Sequence, residues 1–215
     1  MNLTAPSVAK VWTVYHMTDQ TFVHLTLFGT ALVIVLILGL TLGIIAGTNR
    51  RYGEILVQVL NIIEMIPDVA LLLLLIPITG IGAAPTITAA VLYSLLPIVR
   101  NTSIGLTSIR PEIIESSNAL GMTNRQILFW VRFPLAFPLI AGGVRTAVVY
   151  TMGIITLGGL IGARGLGAVL QAGITRNNMT VILVAGLWIG LLAVMMDLMA
   201  AGGERFLTRR YGDRP

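Results

Sequence analysis

The stretch that decides the fold runs from Gln20 to Asn49 and reads QTFVHLTLFGTALVIVLILGLTLGIIAGTN. It contains no Asp, Glu, Lys or Arg, and about 20 apolar residues in a helix are enough to cross the hydrocarbon of a bilayer. A second stretch without charge covers residues 69–99. Across the 215 residues only 11% are charged, whereas about a quarter are charged in ordinary soluble domains. The sequence therefore predicts an all-α integral membrane protein.

Runs of apolar residues long enough for a bilayer predict about five transmembrane helices. They are expected at residues 22–47, 55–78, 83–106, 134–160 and 179–201. The basic residues set the orientation, because positive charges concentrate on the cytoplasmic side of membrane proteins. With the N-terminus outside and the C-terminus in the cytoplasm, ten of the 14 basic residues are counted as inside, among them Arg100 near the inside end of span three; three lie outside and Arg145 lies within a span.

Three segments follow from this topology. Residues 1–20 are expected to form an outer N-terminal segment, residues 21–201 the transmembrane domain, and residues 202–215 a basic cytoplasmic tail. The aromatic and apolar residues between positions 7 and 19 favour a short interfacial helix within the first segment. A frayed terminus is the alternative for that segment.

The composition excludes several classes of protein. There is no cysteine, which removes thiolate nucleophiles and Cys-ligated metals. Lys10 is the only lysine, so no Walker A loop is present and ATP hydrolysis would need a partner. The two histidines lie far from other ligand types, so neither a metal site nor a cofactor is expected, and no catalytic constellation is visible. The basic residues form no stripe with interleaved aromatics, so nucleic acid is not an expected partner.

One sizeable polar connection, residues 107–133, separates the third and fourth predicted spans. Pro111 suits the first position of a helix, and Gly121 supplies its C-terminal stop. Thr123 and Gln126 have the spacing of a capping box, which predicts a second short helix that ends where the fourth span begins. Two short helices at a membrane surface would form an exposed docking element.

Within this connection, the sequence Glu115-Ser-Ser-x-x-x-Gly121 is followed after nine residues by Val131-Arg-Phe-Pro134. This pattern resembles the EAA signature of ABC-importer permeases, which marks the coupling helix that inserts into a groove on the ATPase. Two serines replace the alanines of the signature and keep the small side chains. The resemblance implies that the residues coupled to an ATPase are Glu115, Ser116, Ser117, Ala119, Gly121, Met122 and Thr123. A merely structural amphipathic loop is the alternative.

Three other segments are similar to permeases of the quaternary-amine uptake family. They are LYSLLPIVRNT at residues 92–102, GVRTA at 143–147 and LIGARGLG at 160–167. The resemblance implies the type I ABC importer fold in a bacterial cytoplasmic (inner) membrane, where the spans contact lipid. It also implies a second permease subunit, either the same or a paralogous chain, a separate ATPase and a separate extracytoplasmic substrate-binding protein.

The solute implied by this family is a small quaternary-amine or zwitterionic osmoprotectant such as glycine betaine, choline or carnitine. The chain itself would be a non-catalytic transmembrane subunit. Two alternatives stay open: a permease for another small solute such as an amino acid, and a secondary transporter driven by an ion gradient.

Charged residues within the predicted spans are expensive in a bilayer and point to function. Glu64 and Asp68 lie four residues apart on either side of Pro67, and Arg145 lies in span four. At 1.5 Å per residue, the three charges lie ~14, ~20 and ~16 Å from the inside ends of their helices. We expect Arg145 to neutralise one of the acids while the group lines the translocation pathway; a structural ion pair that fixes helix register is the alternative. Asp197 is expected to face interfacial water or a nearby arginine and is given no transport role.

Aromatic rings and a glycine-rich segment complete the candidate sites. Tyr93 is added to the pathway residues, since the rings of Tyr93, Tyr150 and Trp188 offer a quaternary ammonium a cation–π surface; an interfacial belt or packing is the alternative.

The glycine-rich segment at 158–178 is expected to bring helices into close backbone contact or to form a short re-entrant stretch. By resemblance it would help to form the outer gate, with Arg164 and Arg176 contacting the binding protein; a solvated loop is the alternative.

Overall fold

The computed structural model describes residues 7–212, and their regular structure is entirely helical. Six residues of the predicted N-terminal segment and three of the predicted tail, including Arg214, lie outside the described residues. The helices are α1 (Val8–Val14), α2 (Met17–Thr48), α3 (Arg50–Glu64), α4 (Asp68–Thr79), α5 (Ala83–Thr107), α6 (Pro111–Ala119), α7 (Asn124–Gln126), a π-helical stretch (Ile127–Arg132), α8 (Phe133–Leu157), a 3₁₀ turn (Gly158–Ile161), α9 (Leu166–Thr175) and α10 (Met179–Tyr211).

Helices of membrane-spanning length agree with the predicted spans. Within residues 7–212, four helices are long and apolar enough to cross a bilayer, and α3 with α4 makes a fifth if the pair counts as one span. The four are α2, α5, the continuous helix Asn124–Ile161 and α10. The prediction of an all-α membrane protein with about five spans is therefore confirmed. The last helix extends beyond the predicted end of its span, so the predicted tail is helical as far as Tyr211.

The second predicted span is broken rather than continuous. Helix α3 ends at Glu64, α4 begins at Asp68 after Pro67, and the two helices are bent by 99°. Pro67 has no backbone N–H to donate, and its ring disfavours the helical conformation of the residue before it. The expectation that Glu64 and Asp68 share one helical face is therefore wrong, because positions four residues apart face the same way only in an unbroken helix.

The chain divides into two compact units. The first unit consists of Met1–Ile34, Ile66–Leu92 and Val149–Met196, and the second consists of Val35–Met65, Tyr93–Val148 and Asp197–Pro215. Each unit has its own buried side chains. Leu72, Ile155 and Leu166 are fully buried in the first unit, and Ile98 and Val99 are fully buried in the second.

In the second unit, glycines of α2 let α5 approach closely. A Cβ on Gly39 would lie 2.9 Å from the Cβ of Ile98, and one on Gly43 would lie 2.5 Å from the Cβ of Thr102. Gly47 stands one turn further along, opposite a leucine of α5. Small residues repeated every four positions are a common way to pack membrane helices. This leucine, Leu106, forms a buried cluster with Ala136 and Ile140 of α8.

In the first unit, the glycine-rich segment makes backbone contacts. A Cβ on Gly159 would overlap the backbone of Gly167, and a Cβ on Gly167 would overlap the carbonyl of Thr156. Gly162 and Gly165 have φ of 79° and 94°, a region that side chains disfavour. The predicted close backbone contact is therefore confirmed for this segment.

Within the described part of the N-terminal segment, Val8–Val14 form a helix, as predicted. The hydroxyl of Ser7 caps it by accepting a hydrogen bond from the Lys10 N–H. The ring of Trp12 packs edge to face on that of Trp188, with centroids 5.1 Å apart. This aromatic contact ties α1 to α10 within the first unit.

Candidate functional site

Helix α6 has well-defined ends, both set by residues that the sequence analysis singled out. Pro111 occupies its first turn, where a missing N–H costs nothing. At the other end the N–H of Gly121 donates to the carbonyl of Asn118 at 2.9 Å, and that of Met122 donates to Ser117 at 3.2 Å. This pair of bonds is a Schellman motif. The motif requires the left-handed backbone conformation at position 121, and Gly121 has a φ of 78°.

The two serines of α6 have different surroundings. Ser117 is buried, with 6% of its surface exposed, and its hydroxyl donates to the carbonyl of Ile113 at 2.7 Å. Ser116 is exposed and donates to the carbonyl of Glu112 at 2.8 Å. Both hydroxyls are satisfied within the helix, so serine at these positions keeps the side chain small without leaving a buried polar group unpaired.

Thr123 opens the next helix through the predicted capping box. Its backbone N–H donates to the Gln126 side chain at 2.8 Å, and the Gln126 N–H donates to its hydroxyl at 3.4 Å. The expected separate short helix is wrong in one respect. The chain passes without a break through the π-helical residues Ile127–Arg132 into α8, so this helix is the beginning of the fourth span.

The surface around α6 combines apolar and acidic side chains. Leu120 is 82% exposed and Glu115 is also exposed. An open cavity of about 610 Å³ lies beside the helix and includes Glu112, Ser116 and Met122 in its lining. We call α6 with Leu120, Gly121, Met122 and Thr123 the α6 surface. Leu120 and Val131 also line this cavity, so the cavity combines apolar with polar side chains.

Arg145 forms an ion cluster with two acids of α10. Its Nε and Nη2 donate to the two oxygens of Asp197 at 2.7 and 3.0 Å, and its Nη1 donates to Glu204 at 3.2 Å. The expected pairing of Arg145 with Glu64 or Asp68 is therefore wrong. Asp197 was expected to reach Arg205 or interfacial water, and it pairs with Arg145 instead. Asp197 and Glu204 are two turns apart on one face of α10, and that face lies beside Arg145 in the second unit.

The other predicted pathway residues lie in different surroundings. Glu64, the last residue of α3, is partly buried, and the charge of Arg100 on α5 acts on it. Pro67 and Asp68 are exposed at the start of α4. Tyr93 is buried, with 6% of its surface exposed. The interaction of Arg100 with Glu64 was not predicted from the sequence.

A second open cavity, of about 640 Å³, lies in the second unit between the end of α2, α3 and α5. Its polar lining includes Glu54, Gln58, Arg100, Ser103 and Thr107. This cavity was not predicted from the sequence. The signal that could have found it is the spacing of Glu54, Gln58 and Asn61, which places three polar residues on one helical face where the second predicted span begins.

The remaining predicted residues lie in the first unit. The Trp188 ring contacts Trp12, and its Nε1 donates to Thr21 at 2.9 Å, which agrees with the packing alternative. Tyr150 is exposed. The guanidinium of Arg176 donates to the Tyr15 hydroxyl at 3.2 Å and lies 5.8 Å from the centre of that ring. Arg164 is exposed, and its predicted contact with a binding protein stays a prediction, as does that of Arg176.

Comparison with known proteins identifies a family and several relatives. Residues 39–211 match the family model described as binding-protein-dependent transport system inner membrane component. The osmoprotectant import permease protein OsmW of Salmonella typhimurium is 38% identical over 197 residues, which cover 86% of this chain and 92% of the relative. The glycine betaine/carnitine/choline transport system permease protein OpuCD of Bacillus subtilis is 42% identical over 173 residues, covering 80% and 76%.

Solved structures share the fold. A structure of the inward-facing MetNI methionine ABC transporter superimposes with a TM-score of 0.77 at 24% identity, covering 87% of this chain and 94% of the other. A second crystal form of that transporter gives a TM-score of 0.80 at 23% identity, covering 91% and 98%. At these identities the likeness concerns the fold alone.

Proposed function

This chain belongs to the family of binding-protein-dependent transport system inner membrane components, and we propose that it transports a small quaternary-amine or zwitterionic osmoprotectant as the permease subunit of an ABC importer. It is a multi-pass inner-membrane protein with the type I ABC importer permease fold, as the sequence predicted. One observation carries the choice of solute: relatives named for osmoprotectant, glycine betaine, carnitine and choline transport match 80% or more of the chain at 38% identity or higher.

In this proposal the chain hydrolyses no ATP. A separate ATPase supplies the energy, a separate extracytoplasmic protein delivers the solute, and a second permease subunit, identical or paralogous, completes the membrane part. The family description, which names dependence on a binding protein, supports the second of these partners. The missing Walker A loop supports the first.

The α6 surface is the proposed contact with the ATPase, and it includes Glu115, Ser116, Ser117, Ala119, Gly121, Met122 and Thr123. Its exposure and the Schellman motif at Gly121 support this role, because a rigid helix end can transmit a displacement to α8 through the short Met122–Thr123 link. The proposed topology puts this surface in the cytoplasm and the N-terminus outside, since most arginines then lie inside.

The proposed pathway residues are Glu64, Pro67, Asp68 and Tyr93, with Arg145 positioning α8 against α10 through its ion cluster. The break at Pro67 supports a role for this segment, because non-helical backbone at membrane depth occurs only where protein or a water-filled cavity satisfies its polar groups. Arg164 and Arg176 are the proposed contacts with the binding protein. Their exposed positions support that role.

A pull-down from membranes with matched variants at position 121 tests the coupling role. Gly121→Val places a β-branched residue at φ 78°, whereas Gly121→Asn introduces a residue that tolerates this conformation. No neighbouring atom lies within 4 Å of a Cβ built at position 121, so overlap at the Cβ does not distinguish the two variants. We expect wild type and Gly121→Asn to retain the ATPase and Gly121→Val to lose it. Equal retention by all three would contradict coupling through this helix end.

Transport in proteoliposomes tests the function itself. The permease with its ATPase and binding protein is expected to accumulate glycine betaine or choline only when ATP is present. Uptake by the permease alone under an ion gradient would instead support the secondary transporter. Uptake of an amino acid such as methionine, with neither glycine betaine nor choline competing, would support the alternative solute class.

A further inference from the structure

Helix α3 carries a polar face although it belongs to a membrane-spanning segment. Glu54, Gln58 and Asn61 follow one another at intervals of four and three residues, which places them on one side of the helix. Ile55 and Ile62 on another side are more than half exposed. Glu54 lies where the predicted span begins, whereas Gln58 and Asn61 lie within it. Polar groups within a span face either protein or a water-filled space.

Helix α5 presents polar residues to the same space. Arg100 is exposed and lies seven residues, about 10 Å, before the end of α5. Ser103 and Thr107 follow at intervals of three and four residues, so all three side chains share one face. The charge of Arg100 acts on Glu64, but the Arg100 side chain is exposed, unlike the fully buried Val99 beside it in the sequence.

The two polar faces meet in the cavity of about 640 Å³. Small-molecule sites commonly have volumes of roughly 300–1,000 Å³, with mainly apolar walls and a few placed polar groups. This cavity has an acid, Glu54, and a base, Arg100, as well as the apolar side chains Val57 and Ile104. We call it the α3–α5 cavity.

We propose that the α3–α5 cavity is a binding station for a zwitterionic solute, with the carboxylate of the solute toward Arg100 and its quaternary ammonium toward Glu54. A guanidinium matches a carboxylate with two parallel hydrogen bonds. A quaternary ammonium has no N–H to donate, so it needs a nearby negative charge together with apolar contacts, which Glu54 and Val57 supply. The inference rests on the proposed function and adds to it the place where solute is held.

The arrangement discriminates between solutes. Glycine betaine has both a carboxylate and a quaternary ammonium, whereas choline has the ammonium without the carboxylate. Arg100 therefore serves only the first solute, while Glu54 serves both. A purely structural arginine would affect the two solutes equally.

The test compares uptake of glycine betaine with uptake of choline in proteoliposomes containing the permease, its ATPase and the binding protein. We expect Arg100→Gln to lower the ratio of betaine to choline uptake about tenfold or more, and Glu54→Gln to lower both rates. Arg51→Gln is the matched control, since it removes a positive charge from α3 outside the cavity lining and should leave the ratio unchanged. ATPase activity stimulated by the binding protein reports whether each variant is assembled.

Each outcome is decisive. An unchanged ratio in an assembled Arg100→Gln complex would overturn the inference while leaving the proposed function intact. If the wild type takes up neither solute with ATP, the proposed function itself fails. If Arg100→Gln does not assemble, Arg100→Lys keeps a positive charge near Glu64 but loses the paired hydrogen bonds. This variant is then expected to lower the same ratio by a smaller factor, and an unchanged ratio would again overturn the inference.

Discussion

Two arginines lie inside membrane-spanning helices of the second unit, and their surroundings differ. Arg145 directs three nitrogens at the carboxylates of Asp197 and Glu204, with distances of 2.7 to 3.2 Å. Arg100 lines an open cavity and interacts electrostatically with Glu64. The two arginines therefore show two ways in which a membrane-spanning helix accommodates an arginine. One arginine is held by the acids of a neighbouring helix, and the other lines an open cavity.

Loss of Arg145 is expected to have the largest effect on the amount of folded protein. Arg145→Gln removes three charge-assisted hydrogen bonds and leaves two negative charges on one face of α10 without their positive partner. The thermal midpoint of the purified protein in mild detergent, measured from the monodisperse fraction after heating, should fall by several degrees. The triple variant Arg145→Gln, Asp197→Asn, Glu204→Gln removes every charge of the cluster and should recover much of the loss. A thermal midpoint unchanged by Arg145→Gln would contradict the stabilising role of Arg145 and its contrast with Arg100.

The two acids of the ion cluster are expected to contribute unequally. Asp197 accepts two hydrogen bonds in a paired geometry, whereas Glu204 accepts one, at 3.2 Å. Paired contacts between an arginine and a carboxylate are the stronger kind. Asp197→Asn should therefore lower the same thermal midpoint more than Glu204→Gln does. If Glu204→Gln lowered the thermal midpoint more than Asp197→Asn, position on α10 rather than hydrogen-bond geometry would decide how much each acid stabilises the protein.

Arg100 is expected to matter less for stability than Arg145. Arg100→Gln removes a charge that faces the α3–α5 cavity, so no pair of carboxylates is left without a partner as in Arg145→Gln. Its thermal midpoint should fall by less than half as much as that of Arg145→Gln, measured in the same detergent. An equal fall would mean that Arg100 has the same structural role as Arg145, and the contrast between the two arginines would disappear.

Ser103 should give the smallest effect. Its hydroxyl lines the α3–α5 cavity beside Arg100, and one neutral hydrogen bond contributes roughly 0.5–1.5 kcal/mol. Ser103→Ala should raise the concentration of glycine betaine needed for half-maximal uptake by a few fold and leave the thermal midpoint unchanged. Ser108→Ala is the matched control, since this serine lies outside that cavity lining. A change in the midpoint without a change in uptake would assign Ser103 to packing.

The two ends of α6 and the beginning of the next helix were predictable from the sequence. Pro111 begins α6, Gly121 ends it, and Thr123 forms the capping box with Gln126, all as predicted. Each of these features depends on residues within five positions of one another. Only the continuation into α8 was missed, because a capping box marks where a helix begins and gives no information about where it ends.

The ionic contacts were not predictable in the same way. Arg145 was assigned to Glu64 or Asp68 because the three residues have similar expected depths, but its partners stand 52 and 59 residues further along the chain. Equal depth is a weak criterion, since every span of a bundle crosses every depth. The break at Pro67 also moved Asp68 out of the helix on which that estimate relied.

The sequence by itself determined that this protein is helical and lies in a membrane, and that a segment between two spans resembles the EAA signature. These properties follow from composition, from the length of apolar runs and from residues close together in the chain, which constrain a helix wherever it is placed. Only the tertiary structure decided that Arg145 pairs with α10 and that α3 and α5 place a base and an acid in one cavity. The physical reason is that a side chain on one helix meets the residues of whichever helix packs beside it, and the choice of neighbour depends on the glycine contacts and side-chain packing of the whole unit.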